Sequence, residues 1–106
     1  MDLLLRSEEM ILLAIWHLQD EAYGVPIRRY LSEATGREIS LASVYVPLDR
    51  LTHRGLVQAI DAPPTKERGG RRKRHFKLTS SGISALSEVR SVHDKLWMGI
   101  SKLSLR

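Results

Sequence analysis

A Gly-Gly pair inside a run of positive charge constrains this chain most. Lys66-Glu67-Arg68-Gly69-Gly70-Arg71-Arg72-Lys73-Arg74 carries seven charges, six of them basic, between two segments of strand character. Both glycines can take positive φ without a Cβ clash, which suits the tip of a β-hairpin. Upstream, Leu56-Val57-Gln58-Ala59-Ile60 reads as one strand, and Asp61-Ala62-Pro63-Pro64-Thr65 turns the chain out of it. His75-Phe76-Lys77-Leu78-Thr79 reads as the returning strand, with Phe76 and Leu78 alternating inward. A cationic hairpin tip can grip phosphate. A solvated loop or a targeting run is the plainer alternative.

Helices precede and follow this hairpin. Ser7 can cap a first helix, with Glu8 and Glu9 suited to its positive N-terminal end and Ile11, Ala14, Ile15 and Leu18 at helical spacing. A polar connection, residues 19–22, leads to a second helix starting near Tyr23-Gly24-Val25-Pro26, where proline is tolerated in the first turn. Val25, Ile27, Tyr30, Leu31 and Ala34 supply its apolar face, and Gly36 ends it. Ser40 reads as the N-cap of a third helix that closes at Gly55, with Leu41, Val44, Leu48 and Leu51 inside. Pro47 falls within this helix, where it removes a hydrogen bond at a cost of about 3 kcal/mol unless packing compensates. Thr79 or Ser80 caps a last helix expected to reach about Leu103. Its residues Leu86, Val89, His93, Leu96, Ile100 and Leu103 follow a heptad pattern that packs one helix along another. A homodimer contact is the natural outlet for that seam; packing on the first helix is the alternative.

Charge is unevenly placed. Residues 1–61 hold six Lys/Arg against nine Asp/Glu, residues 62–79 hold seven against one, and residues 80–106 hold four against two, for a net +5. One short loop therefore makes the chain basic, and focused charge favours a specific anionic partner. With 106 residues the chain forms one domain, whose small core gains from burial against a second copy. No cysteine is present, which excludes disulfides and Cys-based zinc sites and is compatible with the cytoplasm, the expected location. No apolar run reaches the ~20 residues of a membrane span, and the N-terminus lacks the layout of a signal peptide. His17, His53, His75 and His93 are scattered, so no metal and no cofactor is expected. There is no P-loop, no Gly-x-Ser-x-Gly elbow and no cysteine nucleophile, so an enzyme is not expected.

Three helices, a hairpin and a trailing helix make a mainly α fold with a small β-hairpin: a winged helix-turn-helix over residues 1–79, followed by a C-terminal dimerisation helix over residues 80–106. In this arrangement the third helix enters the major groove and the wing meets phosphates or the minor groove. Ser40, Ala42 and Ser43 open the third helix with small groups that allow close approach. Tyr45 and Val46 add apolar or hydrogen-bonding contacts, and Arg50 binds phosphate or makes ordinary ion pairs with Asp49 or Glu33 nearby. Asp49 either faces away from DNA or specifies a base. The wing contributes Lys66, Arg68, Gly69, Gly70, Arg71, Arg72, Lys73 and Arg74.

Several blocks together resemble the PadR family of bacterial transcriptional regulators: Tyr23-Gly24, Thr35-Gly36 with Glu38-Ile39-Ser40, the Tyr-x-Pro-Leu-x-Arg-Leu block at 45–51, Gly55-Leu56-Val57, the Gly69-Gly70-Arg71 wing, and the exit at 78–82. The short C-terminal region is similar to the subgroup with a single trailing helix. The resemblance implies a homodimer, usually a repressor, on a palindromic operator in double-stranded DNA. It also implies release by a small aromatic or stress-related effector. In some small members a tryptophan of the trailing helix stacks on such ligands at the dimer centre. Trp97 lies in a similar part of this chain, where it serves either a pocket or, with Leu86, Val89, His93, Leu96, Ile100 and Leu103, a dimer core; Trp16 is a second pocket candidate. A winged-helix adaptor for an acidic protein and a winged-helix RNA binder are the competing readings.

Overall fold

The structure, a computed structural model, describes residues 3–61 and 74–100. The elements run α1 (Arg6–Leu18), a 3₁₀ turn (Gln19–Glu21), α2 (Gly24–Thr35), α3 (Leu41–His53), β1 (Val57–Asp61), β2 (Arg74–Leu78) and α4 (Ser80–Trp97). The wing tip, with Lys66, Arg68, Gly69, Gly70, Arg71, Arg72 and Lys73, lies outside the described residues, as does Leu103.

Helix α1 starts earlier than a Ser7 cap would allow. Leu5 is its N-cap in extended conformation, and the Glu8 carboxylate accepts the Leu5 N–H at 2.9 Å. The acidic side chain reaching back to the N-cap N–H is the acid's half of a capping box. Helix α2 closes on Gly36 in the left-handed region (φ 68°). Helix α3 opens on Ser40, whose hydroxyl accepts the Ser43 N–H at 3.1 Å. Pro47 does sit inside α3, and its ring is buried with Val44, Leu48 and Leu51, which offsets part of the lost hydrogen bond. Leu41 is exposed, so the inner stripe begins only at Val44. On α2, Val25 and Ala34 are likewise exposed, while Ile27 and Leu31 are buried.

The core is the meeting of α1, α2 and α3, through Ile11, Leu12, Ala14 and Ile15 with Ile27, Leu31, Val44, Leu48 and Leu51. Phe76 and Val57 close it from the hairpin. Strands β1 and β2 pair antiparallel in the register Val57↔Leu78 to Asp61↔Arg74. The strands stand one residue off the expected bounds, because their flanking residues have other work. Leu56 donates its N–H to Leu51 O at 3.0 Å and accepts the Thr79 N–H at 3.2 Å. Thr79 leaves the strand to cap α4: its hydroxyl accepts the Gly82 N–H at 3.0 Å and donates to Gly55 O at 2.7 Å. A third extended segment joins the sheet through the Tyr23↔His75 bridge, with the Phe76 N–H on Ala22 O at 2.9 Å.

Helix α4 divides into two parts. Its first half rests on the body: a Cβ on Gly82 would lie 2.2 Å from the Leu56 carbonyl oxygen, Val89 is buried, and Ala85 and Leu86 pack against the core. Leu86 and Val89 thus follow the alternative left open for the heptad face, packing within the chain against the core. The second half projects, with Leu96 73% and Met98 78% exposed. The helix ends at Trp97, short of Leu103, because Met98 turns extended and Gly99 takes φ 84°. Glycine just past a helix end is a stop signal that the heptad pattern overruns. Ile100 consequently lies beyond the helix.

Candidate nucleic-acid interface

The buried stripe of α3 leaves one continuous outward face. Ala42, Tyr45, Val46 and Asp49 are exposed along it, with Ser40 and Ser43 at its N-terminal end and Arg50 on its flank. These positions recur at the i, i+3, i+4, i+7 spacing of a single helix surface. Ser40 and Ser43 are joined through their hydroxyls at 2.9 Å, so both are tied to the cap that starts the helix. Ser7 of α1 lies across a shallow groove from Ala42, Ser43 and Val46, a neighbour that sequence spacing does not reveal. Asp49 stands on the same exposed face as Tyr45 and Val46.

Tyr45 is fixed by a residue of α2. A Cβ at Gly24 would come within 2.0 Å of the Tyr45 hydroxyl oxygen, so the ring sits where only glycine leaves room. The Tyr-Gly pair at the start of α2 thus has two separate duties. Gly24 admits Tyr45, and Tyr23 meets His75 edge-on at 5.1 Å, bracing the root of the hairpin.

The ion pairs differ from the expected ones. Arg50 meets Glu8 (Nε to Oε2, 3.4 Å), and neither Asp49 nor Glu33 is its partner. Arg54 meets the other oxygen of Glu8, also at 3.4 Å. Glu8 is 3% exposed and is the one charged side chain buried among the described residues. At the hairpin, Arg74 pairs with Asp61 at 3.2 Å across the strands, an exposed contact worth little in stability.

The two tryptophans part company. Trp16 lines a groove of about 370 Å³ between α1 and α4, walled by Leu13, Leu78, Ile83 and Leu86 with Glu9 and Arg90 at its rim. It also lines a smaller cavity against β2, with Phe76 and Lys77. Trp97 lines neither and is exposed at the end of α4 beside Leu96 and Met98. Among the described residues no group of His, Cys, Asp or Glu could hold a metal ion, and no helix is long and apolar enough to cross a membrane.

Comparison with solved structures gives the fold a context. A PadR-like transcription factor from Bacteroides fragilis superposes with a TM-score of 0.69 at 24% identity, over 92% of this chain and 88% of that one. RosR of H. salinarum gives 0.64 at 25% identity, over 91% and 79%. A PadR family transcription regulator of Clostridium difficile gives 0.56 at 21%, over 89% and 91%. No match was found among curated protein sequences. The family profile described as transcriptional regulator PadR-like matches residues 12–88, from the middle of α1 into the half of α4 that rests on the body. With its winged helix-turn-helix and that profile, the chain belongs to the PadR-like family of transcriptional regulators.

Proposed function

We propose that this protein is a cytoplasmic, homodimeric repressor that reads a palindromic operator in double-stranded DNA and is released by a small aromatic effector. The observation that carries the reading is the outward face of α3. Ser40, Ala42, Ser43, Tyr45 and Val46 are exposed together on a helix whose opposite side buries Val44, Pro47, Leu48 and Leu51. Small groups at its start permit close approach to base edges, Tyr45 and Val46 offer contact to thymine methyls, and Asp49 can accept from a cytosine amino group. The basic run Lys66 to Arg74 lies in the sequence between β1 and the start of β2, and its charge supplies phosphate attraction that α3 lacks.

Dimerisation is supported by two exposed apolar surfaces of matching character. One is the projecting end of α4 with Leu96, Trp97 and Met98; the other is the groove holding Leu13, Trp16 and Ile83. In an isologous pair each end lies on the other copy's groove, with His93 beside it. An aromatic effector fits between Trp16 and the partner copy's tryptophan, where stacking is available on both sides.

Selection from random duplexes tests the reading. A palindromic consensus is expected, with affinity falling steeply as salt rises. Replacing Arg71, Arg72 and Arg74 by Ala is expected to flatten that dependence by roughly 0.9 in log–log slope for each phosphate that is no longer neutralised. Recovery of no preferred duplex would sink the reading in favour of an adaptor, and preference for folded RNA would favour an RNA binder.

A further inference from the structure

We infer that Glu8 is a positioning residue for DNA recognition: it holds Arg50 in the one orientation from which that guanidinium meets the operator. The inference rests on the DNA-binding reading above. Three groups converge on this carboxylate. Oε1 accepts the Leu5 N–H at 2.9 Å and Arg54 Nη1 at 3.4 Å; Oε2 accepts Arg50 Nε at 3.4 Å. One buried side chain thus joins the N-terminus of α1 to the C-terminal end of α3.

A carboxylate at 3% exposure is costly to keep without a purpose that a neutral side chain could not serve. Its partners are not buried with it. The Arg50 and Arg54 side chains are 46% and 36% exposed, so each guanidinium is anchored on its inner side and reaches solvent on its outer side. Arg50 borders the exposed face of α3, one residue from Asp49 and one turn from Val46. An arginine in solution samples many rotamers, and freezing it on DNA costs affinity. Glu8 removes that cost for one geometry. It also discourages Arg50 from following phosphates on unrelated sequences, because doing so takes from the buried carboxylate one of its two arginine partners. Glu8 acts through Arg50 and does not itself face the interface.

The test uses the full chain with its selected operator and a random duplex of equal length. Glu8→Gln keeps the length and the acceptor for the Leu5 N–H but removes the charge. It is expected to tighten random-duplex binding, weaken operator binding, and lower the ratio of the two affinities about tenfold, the size of one well-placed contact. In an Arg50→Gln background the same change is expected to leave the ratio unaltered. A ratio within twofold of the parent in Glu8→Gln, or a full drop that persists without Arg50, overturns the proposal. If Glu8→Gln loses its helical circular dichroism, Arg50→Lys decides. It keeps the charge and loses the planar fork, so an unchanged ratio there overturns the proposal and a tenfold drop supports it. A parent chain that prefers no duplex removes the DNA reading itself, whereas a discriminating parent with an indifferent Glu8→Gln removes only this inference.

Discussion

At position 24 a single methyl group is enough to move a side chain on another helix. A Cβ there would sit 2.0 Å from the Tyr45 hydroxyl oxygen and 2.6 Å from the ring carbon that bears it. What must yield is the far end of a flexible, half-exposed side chain, not backbone. Alanine at the first position of α2 is otherwise mildly favourable, by about 0.5–1 kcal/mol over glycine in a helix. Gly24→Ala should therefore leave the melting temperature within about 5 °C of the parent. Operator affinity should fall about tenfold as Tyr45 leaves its place. Calorimetry and fluorescence anisotropy measure the two effects separately. In a Tyr45→Ala background the affinity loss from Gly24→Ala should vanish; a loss that survives would place the effect on α2 itself.

The elements differ in how openly the sequence announces them. Helix α3 is legible because its start and stop are local: Ser40 caps the Ser43 N–H, and the chain leaves at Gly55. The hairpin is legible because strand patterns flank Gly69-Gly70, and the observed register pairs them with a shift of one residue. That shift comes from Leu56 and Thr79, which bond to each other and to the caps of neighbouring helices, a matter of tertiary structure. The end of α4 is poorly legible because hydrophobic spacing continues through Gly99, and periodicity carries no information about where a backbone turns. The Glu8 clamp is the least legible feature, since its partners lie 42 and 46 residues away. The two-part character of α4 leads to a prediction at this scale. Leu96→Asp combined with Trp97→Ala alters only side chains that project from the body, so helical content should hold. Sedimentation should shift from dimer to monomer mass, and operator binding should weaken by at least about a hundredfold as the two half-sites lose their linkage. A dimer that survives both changes would move the interface away from the end of α4.

For the whole molecule, charge and shape work along different lines. Residues 1–61 carry nine acidic side chains against six basic ones, while residues 62–79 carry seven basic against one. In the proposed dimer on DNA, that charge supplies the long-range attraction, and α4 sets the spacing between the two DNA-reading faces. That helix has 18 residues, roughly 27 Å of length, and its seat on the body is the contact between Gly82 and the Leu56 carbonyl. The obstruction there is backbone, 2.2 Å from where a Cβ would be, so it cannot swing aside as Tyr45 can. Gly82→Ala must lift the base of α4 and tilt it, at a cost of about 1–3 kcal/mol. Tilt at the base of a long lever becomes a larger displacement at its far end, and a two-fold axis counts it twice. A base pair is about 3.4 Å of DNA, so a modest tilt should change the preferred number of base pairs between half-sites. Duplexes with the centre of the operator lengthened or shortened in single steps would show the new optimum. An unmoved optimum with a lowered melting temperature would mean that α4 re-seats without tilting. On the proposed reading, an absent methyl group far from the base-reading helix is the calibration mark of a ruler, and the length it sets is to be read in the DNA.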